Sequence, residues 1–530
     1  MLFPKRNSMC KFNKLIKLPI MATLLCLATQ VYSQITVDTS IDENPTTNGS
    51  CTLREAIINA NDDASTQPDC QPGIGPLDEI EFDPAVETIN LIGPLDISDS
   101  IIIRGNETRT TLIGPGDSRL IASPDPVRIE LNFLSLQNGF TEDEGRFPIE
   151  CVRSSGEGGA VCVTGTLVLA EVEIVDSQTT GDFARGGAVA AGTLLLSNST
   201  IRENETSGVG AGGGGLYASD SGGTANFITN SRIVENSTRA NNSPGGGLLS
   251  FGSLSIENTS ILNNSTAGEE SSGGGISAGS DVNIRTSTLA NNVVEGSSAF
   301  GGGANISGSI DTLNSTFSGN LALDSDTGRG GAVYLVGEGA FRNSTIFNNF
   351  SEAGAGGIQF DVLSDDGLEF SSTILAGNTG PDGNLQAVDG NVVDAVNTLF
   401  GDEMSELTGS SIDNVFSDDP QLEPLEDNDC AQRTGISPTT GGIVPRNCAL
   451  THLLMPASLA YDNGNNNFAQ AFDQRSVGFL RTLGPQTDIG AIEMPERVIE
   501  AVPVPVFDWP GIGLLIILIG IATIRFKALF

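Results

Sequence analysis

Through the middle of the chain, apolar runs of a few residues alternate with glycine, serine and asparagine, and the alternation is periodic. A glycine pair or run followed by an apolar residue recurs, with its last glycine at Gly159, Gly187, Gly215, Gly247, Gly275, Gly303, Gly331 and Gly357. The intervals are 28, 28, 32, 28, 28, 28 and 26 residues. An apolar mark keeps the same period: Ile174, Ile201, Ile233, Ile261, Leu289, Phe317, Ile346 and Ile374. A period in the twenties indicates a solenoid, in which each unit buries its apolar face only against its neighbours. The runs are too brief for helices, which need about ten residues. In the unit that starts at Gly187, the pattern predicts strands at 188–190, 193–198 and 200–201, with a turn at Gly192. The stretch from Glu203 and Asn204 to the next glycine cluster reads as a loop.

Three short strands per coil predict an all-β protein, a right-handed parallel β-helix, over residues 85–400, with irregular early coils from Glu87 to Phe140. Glycine supplies corners with positive φ or close backbone approach. The coil from Gly215 carries four extra residues near 219–223, read as a turn that grew outward. Three residues after the apolar marks stand Ser177, then Asn204, Asn236, Asn264, Asn292, Asn320 and Asn349. Stacked at the ~4.8 Å strand spacing they would form a structural amide ladder. A surface row of ligand-binding amides is the alternative. The many Asn-x-Ser/Thr triplets fall out of the same repeat.

The two ends follow different patterns. Residues 1–33 carry Lys5, Arg6, Lys11, Lys14 and Lys17, an apolar run over 18–28 and small residues near Ser33, the layout of a secretory signal peptide. Within 34–84, Leu53, Ala56, Ile57 and Ala60 have helical spacing, and a short amphipathic helix there would cap the open end of the solenoid. After Ile374 the glycine period fades into a region over 401–495. The tail over 496–530 has a proline-rich segment, an apolar run at 511–524, and then Arg525 and Lys527. That run is short for a stable span, which needs about 20 residues. It reads as a sorting signal held in the membrane by 502–527, with a permanent anchor as the alternative.

Six cysteines follow the signal: Cys51, Cys70, Cys151, Cys162, Cys430 and Cys448. Even in number and exported, they suggest neighbouring disulfides 51–70, 151–162 and 430–448, although six cysteines allow about 15 connectivities. No Cys-x-x-Cys motif occurs, and His452 is the sole histidine. Between residues 34 and 500 there are 19 Arg, no Lys and 64 Asp plus Glu, a net of −45. That excess argues against nucleic acid and anionic polysaccharide as partners. It suits solubility in a salty exterior, or Ca²⁺ held by loop carboxylates such as Asp324 and Asp326 or Asp418 and Asp419, although no loop has a Ca²⁺-binding spacing.

The segment Cys51-Thr-Leu-Arg-Glu-Ala-Ile57 with Asn59 and Asn61 resembles the signature of the CSLREA domain family, with Thr52 in place of serine. The resemblance implies an N-terminal cap ahead of a β-helix in an exported bacterial protein. The stretches 451–458, 461–464, 473–475 and 488–493 resemble the choice-of-anchor Q family, with Leu459 in place of its proline and Ser476 in place of its glycine. That family ends β-helical surface proteins before an anchoring signal. Asp473, Arg475, Arg481 and Asp488 read as terminal-coil ion pairs, with a catalytic cluster as the alternative. The tail resembles the C-terminal sorting signals of Gram-negative bacteria, which implies C-terminal sorting machinery as a partner. Together these imply export by the Sec pathway to the surface, outer membrane or exterior of a Gram-negative bacterium.

The parallel β-helix also serves pectate lyases and polygalacturonases, and fold alone does not assign function. A uronate lyase needs a basic residue, yet the body lacks lysine, and Arg202, Arg232, Arg285 and Arg342 read as holding different places within their coils. A hydrolase needs a carboxylate pair, and no motif marks one. The sugar clefts of such enzymes usually present Trp or Tyr; the solenoid has Tyr217 and Tyr334, and the sole Trp, Trp509, lies in the tail. The reading is a non-enzymatic surface rod, adhesin-like, with a surface glycan or protein as ligand, and a polysaccharide lyase or glycoside hydrolase as the alternative. No catalytic or cofactor-binding residue is assigned.

Overall fold

The computed structural model describes residues 33–495, apart from 147, 153–154, 220–222, 362–366, 388–391, 402–406, 408–410, 429–433, 437–442 and 446–448. The signal segment, the 430–448 cysteine pair and the tail with 502–527 lie outside the described residues. No helix among the described residues is long and apolar enough to cross a membrane.

The chain winds as a right-handed parallel β-helix. Among the described residues, two sheets of 22 and 13 strands run its length, and a third of 8 strands accompanies them from Phe140 to Ser351. A representative coil gives Leu248–Ser250 and Leu254–Glu257 to the first sheet, Ser260–Leu262 to the second and Ser265–Ala267 to the third. Two details differ from the sequence reading. Residues read as a loop, such as Glu205–Thr206, form the third sheet. In the coil from Gly187 the first two runs merge into one strand, Val189–Ser197, which passes through Gly192 without a turn. Strands of two or three residues are stable here because each is bonded on both sides by coils above and below. A single-sequence pattern registers their apolar side chains, not that pairing.

Ile174, Ile201, Ile233, Ile261, Leu289, Phe317 and Ile346 stack in register along the second sheet, all buried. The last expected mark does not. Ile346 pairs with Leu375, and the column continues through Phe400 and Phe416. Ile374, one residue out of step, faces away from the interior and packs with Leu399, Leu422, Leu454, Ala460 and Ile489. A one-residue step reverses the face of a strand residue, and the adjacent pair Ile374-Leu375 leaves the sequence ambiguous. The extra residues of the Gly215 coil fall between Ala218, opposite Ala191, and Phe227, opposite Leu195.

The glycine run does two jobs. Gly245, Gly273 and Gly301 have φ of 76°, 71° and 68°, which turn the corner. Gly247 and Gly275 sit where a Cβ would meet the next coil's glycine carbonyl at 2.7 and 2.6 Å. Any side chain there would separate the coils.

At the N-terminal end a helix, Leu53–Asp62, starts at a capping box between Thr52 and Glu55. Its Leu53, Ala56, Ile57 and Ala60 join the interior core with Ile35, Val37 and Ile80. Cys51–Cys70 closes beside it, with Cα atoms 4.8 Å apart. Arg54 binds Asp42 at 2.7 Å and the Gly93 and Pro94 carbonyls, which ties the cap to the first coils. Parallel stacking already begins at Ser33–Val37, which pairs with Asp78–Phe82.

The C-terminal region folds back as a strap along the outer face of the second sheet. Leu425 and Leu450 pack on Val234, Leu262 and Ala290. Gln474 bonds the Ser287 carbonyl at 3.0 Å and receives a bond from Thr316 at 2.6 Å. Ala491 N–H donates to Thr345 Oγ1 at 3.0 Å. Ser372 donates to the Asn465 carbonyl at 2.9 Å. The strap thus recrosses coils from Val234 to Leu399.

Candidate functional site

The asparagines form the ladder, and it is internal. Each Nδ2 donates to the next Oδ1, at 2.9 Å from Asn204 to Asn236, 3.0 Å to Asn264, 3.0 Å to Asn292, 2.9 Å to Asn320 and 2.8 Å to Asn349. The ladder continues to Asn378 and Asn384. Asn378 stands three residues after Leu375, the true mark. All these amides are buried, so the surface ligand-binding row is excluded and the ladder is part of the scaffold.

A cleft of about 440 Å³ opens on the outer face of the first sheet, lined in part by Asp311, Glu338, Arg342, Glu369 and Asp394. The strands Ile310–Leu313, Gly339–Arg342, Gly367–Ser371 and Val392–Val396 place Asp311, Ala340, Glu369 and Asp394 opposite one another in one outward column. Arg342 reaches from the neighbouring column to Asp311 at 2.6 Å and Glu369 at 2.7 Å. Arg285 approaches Asp311 at 3.4 Å. Phe468 of the strap lies under the Arg342 guanidinium, 4.8 Å away. Burial works against the Arg342 charge, but the bonds to Glu369 and Asp311 outweigh it and raise its pKa above the ordinary value. Arg342 therefore serves as a fixed counter-ion rather than as a base.

Arg285 and Arg342 share one column, two coils apart, which corrects the reading that they hold different places. Both stand four residues before an apolar mark, so the signal was in the sequence. The acidic column was legible in the same way. Asp311 and Glu369 each stand six residues before the interior residue of their coil, Phe317 and Leu375. Further back the same column carries no charge, running through Asn283, Ser255, Phe227 and Leu195.

Tyr217 is fully buried and bonded to Arg185 at 3.1 Å. Tyr334 stacks on Phe300 at 4.5 Å and donates to Asp361 at 3.1 Å. Asp324 Oδ1 accepts the Asp326 and Thr327 N–H groups, and Asp419 Oδ1 accepts Gln421 N–H, so these carboxylates close turns. Among the described residues, no group of three or more His, Cys, Asp or Glu side chains is arranged to hold a metal ion. Cys151 and Cys162 are bridged, with Cα atoms 5.2 Å apart.

Asp473, Arg475, Arg481 and Asp488 come together with Glu493, all buried, inside the strap rather than in a terminal coil. Arg475 binds Asp473 at 2.6 Å, and Arg481 donates to the Asp488 carbonyl at 2.9 Å. Glu493 accepts Leu483 and Asp488 N–H groups, and Asp488 accepts those of Asp462 and Met494. Burial raises the Asp488 pKa and pushes Glu493 up to about 7, while it lowers that of Arg481. Carboxylates occupied by main-chain N–H groups hold chain reversals; they do not present reactive oxygens. His452 bonds Ser318 through Nε2 at 2.8 Å and the Glu423 carbonyl through Nδ1 at 2.7 Å, and burial lowers its pKa.

No protein-family model, characterised protein or solved structure matches the chain.

Proposed function

We propose that this chain is an exported, surface-attached rod that acts as a structural or adhesive element and carries an acidic surface. One observation carries the reading. The ladder from Asn204 to Asn384 is continuous, buried and internally bonded, and the strap is bonded across the same coils. Repetition without a break makes a stiff body, with thirteen strands of the second sheet spanning on the order of 60 Å at the usual spacing. The two bridges, Cys51–Cys70 and Cys151–Cys162, suit an oxidising exterior. The CSLREA-like cap, the choice-of-anchor-Q-like strap region and the tail over 496–530 fit export followed by sorting. A surface glycan or protein is the ligand class in this reading. The test is a polysaccharide and glycan panel, with and without Ca²⁺, scored for both binding and product release. Binding without turnover supports the rod.

The glycoside-hydrolase reading has one observation in its favour: Glu369 and Asp394 face outward on adjacent strands of the cleft, a carboxylate pair of the kind such enzymes use. Release of reducing ends from any polysaccharide, abolished by Glu369→Gln or Asp394→Asn, would replace the rod with an enzyme.

A further inference from the structure

Away from the cleft, a second pocket of about 420 Å³ lies at the seam between the last coils and the strap. It is lined by Asn397, Asp413, Gly464, Asn465, Asn466, Thr482, Gln486 and Thr487. Every side chain in that set is an amide, a hydroxyl or a carboxylate. No cationic group and no apolar side chain takes part. The size falls within the ~300–1,000 Å³ of small-molecule sites.

The floor is built rather than incidental. Asn465 Nδ2 donates to Asn397 Oδ1 at 3.0 Å, and Ser372 Oγ is bonded to the Asn465 main chain. Asn466 is held in both directions by the Gln470 main chain at 2.8 Å. Gly464 N–H donates to the Thr487 carbonyl at 2.7 Å, which joins the two strap segments that form the walls. Asn397 and Asp413, φ 49° and 55°, occupy the corner that is left-handed in coil after coil, as at Asn314, Asn343 and Ser372, so the repeat itself fixes their backbones. Thr487 is 3% exposed and its hydroxyl has no partner in the protein. A buried hydroxyl without a partner costs about 1–3 kcal/mol, and a ligand hydroxyl can relieve it.

We propose that this pocket binds a neutral sugar unit. Amides offer a donor and an acceptor side by side, and a carboxylate accepts from two neighbouring hydroxyls, so the lining matches a polyhydroxylated ring. Among the described residues, the absence of a cation from the lining disfavours uronates and phosphates, and the absence of apolar side chains disfavours lipids and leaves recognition of the ring to hydrogen bonds rather than to the aromatic stacking of enzyme clefts. The fixed floor of Asn397, Asn465 and Asn466 positions the ring, while Thr482, Gln486 and Asp413 at the exposed rim close around it. This deepens the adhesive reading and rests on it, by giving the rod a ligand class and a site.

The test is saturation-transfer NMR on the exported protein with glucose, galactose and mannose as probes, and with glucuronate and triglycine alongside. At least one neutral hexose should receive transfer. Gln486→Ala and Thr482→Ala, both at exposed positions, should each weaken it about tenfold, equivalent to one lost hydrogen bond of about 1.4 kcal/mol. Asp125→Asn, on an exposed turn in an early coil, should leave it unchanged. The proposal is overturned if no neutral hexose binds, if triglycine or glucuronate binds in their place, or if binding survives both variants. Polysaccharide turnover lost with Glu369→Gln would instead remove the rod reading and leave this pocket's binding intact, so the two failures are separable.

Discussion

Replacing Asn292 by alanine tests whether the ladder holds the coils together. Asn292 Oδ1 accepts from Asn264 N–H at 3.0 Å and from Asn264 Nδ2 at 3.0 Å. Its own Nδ2 donates to the Ile261 carbonyl at 2.9 Å and to Asn320 Oδ1 at 2.9 Å. The substitution removes all four bonds at a site that is 0% exposed, so water cannot replace them in the intact rod. The Asn264 main-chain N–H and one of its amide hydrogens are left buried without an acceptor. At about 1–3 kcal/mol for each of the two stranded groups, the total is about 2–6 kcal/mol. In a solenoid the loss acts on one coil–coil junction. Hydrogen exchange read by mass spectrometry should therefore show protection falling most in residues 261–320, with the urea midpoint falling as well. Asn283→Ala, an outward position in the same coil, should stay within about 0.5 kcal/mol of the parent. A loss for Asn292→Ala as small as that, or one spread evenly over the rod, would refute the ladder's role.

Reducing Cys51–Cys70, which closes a separation of 19 residues, should cost about 3 kcal/mol and raise exchange in the helix Leu53–Asp62 before the central coils, as followed by mass spectrometry under dithiothreitol. Arg342→Ala should lower the melting temperature by an amount matching about 1–2 kcal/mol, because Asp311 and Glu369 lose a shared counter-ion at a half-buried site. Arg342→Lys should restore less than half of that, since one ammonium cannot reach both carboxylates as the planar fork does. The strap's pH response has two opposed parts, the carboxyls Glu493 and Asp488, both raised by burial, on one side and His452 on the other. Glu493, raised by burial to about 7 from an ordinary 4.5, contributes stability that is full below 4.5 and lost as pH rises through about 7. His452, lowered by burial, contributes stability that is present above 6.5 and lost as pH falls below it. In His452→Gln, strap protection measured by hydrogen exchange should therefore increase steadily from pH 7 to 4.5, and a fall over that range would contradict the assignment.

The solenoid was legible in the chain because its rules are local. An apolar mark every coil, a glycine that must turn or lie against its neighbour, and an asparagine three residues on each recur at one period. Stacking identical coils converts that period directly into columns. The ladder followed for the same reason, and so did the Cys51–Cys70 and Cys151–Cys162 bridges between sequence neighbours. Where two apolar residues stand together, as at Ile374 and Leu375, the period cannot choose, and packing against the strap decided which faced inward. The acidic cleft was encoded at a constant offset from the interior residues, but its meaning depended on Arg342 reaching across columns to Asp311 and Glu369. The strap and its sugar-sized pocket belong to tertiary structure alone. Thr316 and Gln474, or Asn397 and Asn465, lie far apart in sequence and share no periodic signal. Their pairing arises because the second sheet presents Val234, Leu262 and Ala290 outward as an apolar face that must be covered, and only the folded chain shows which segment covers it.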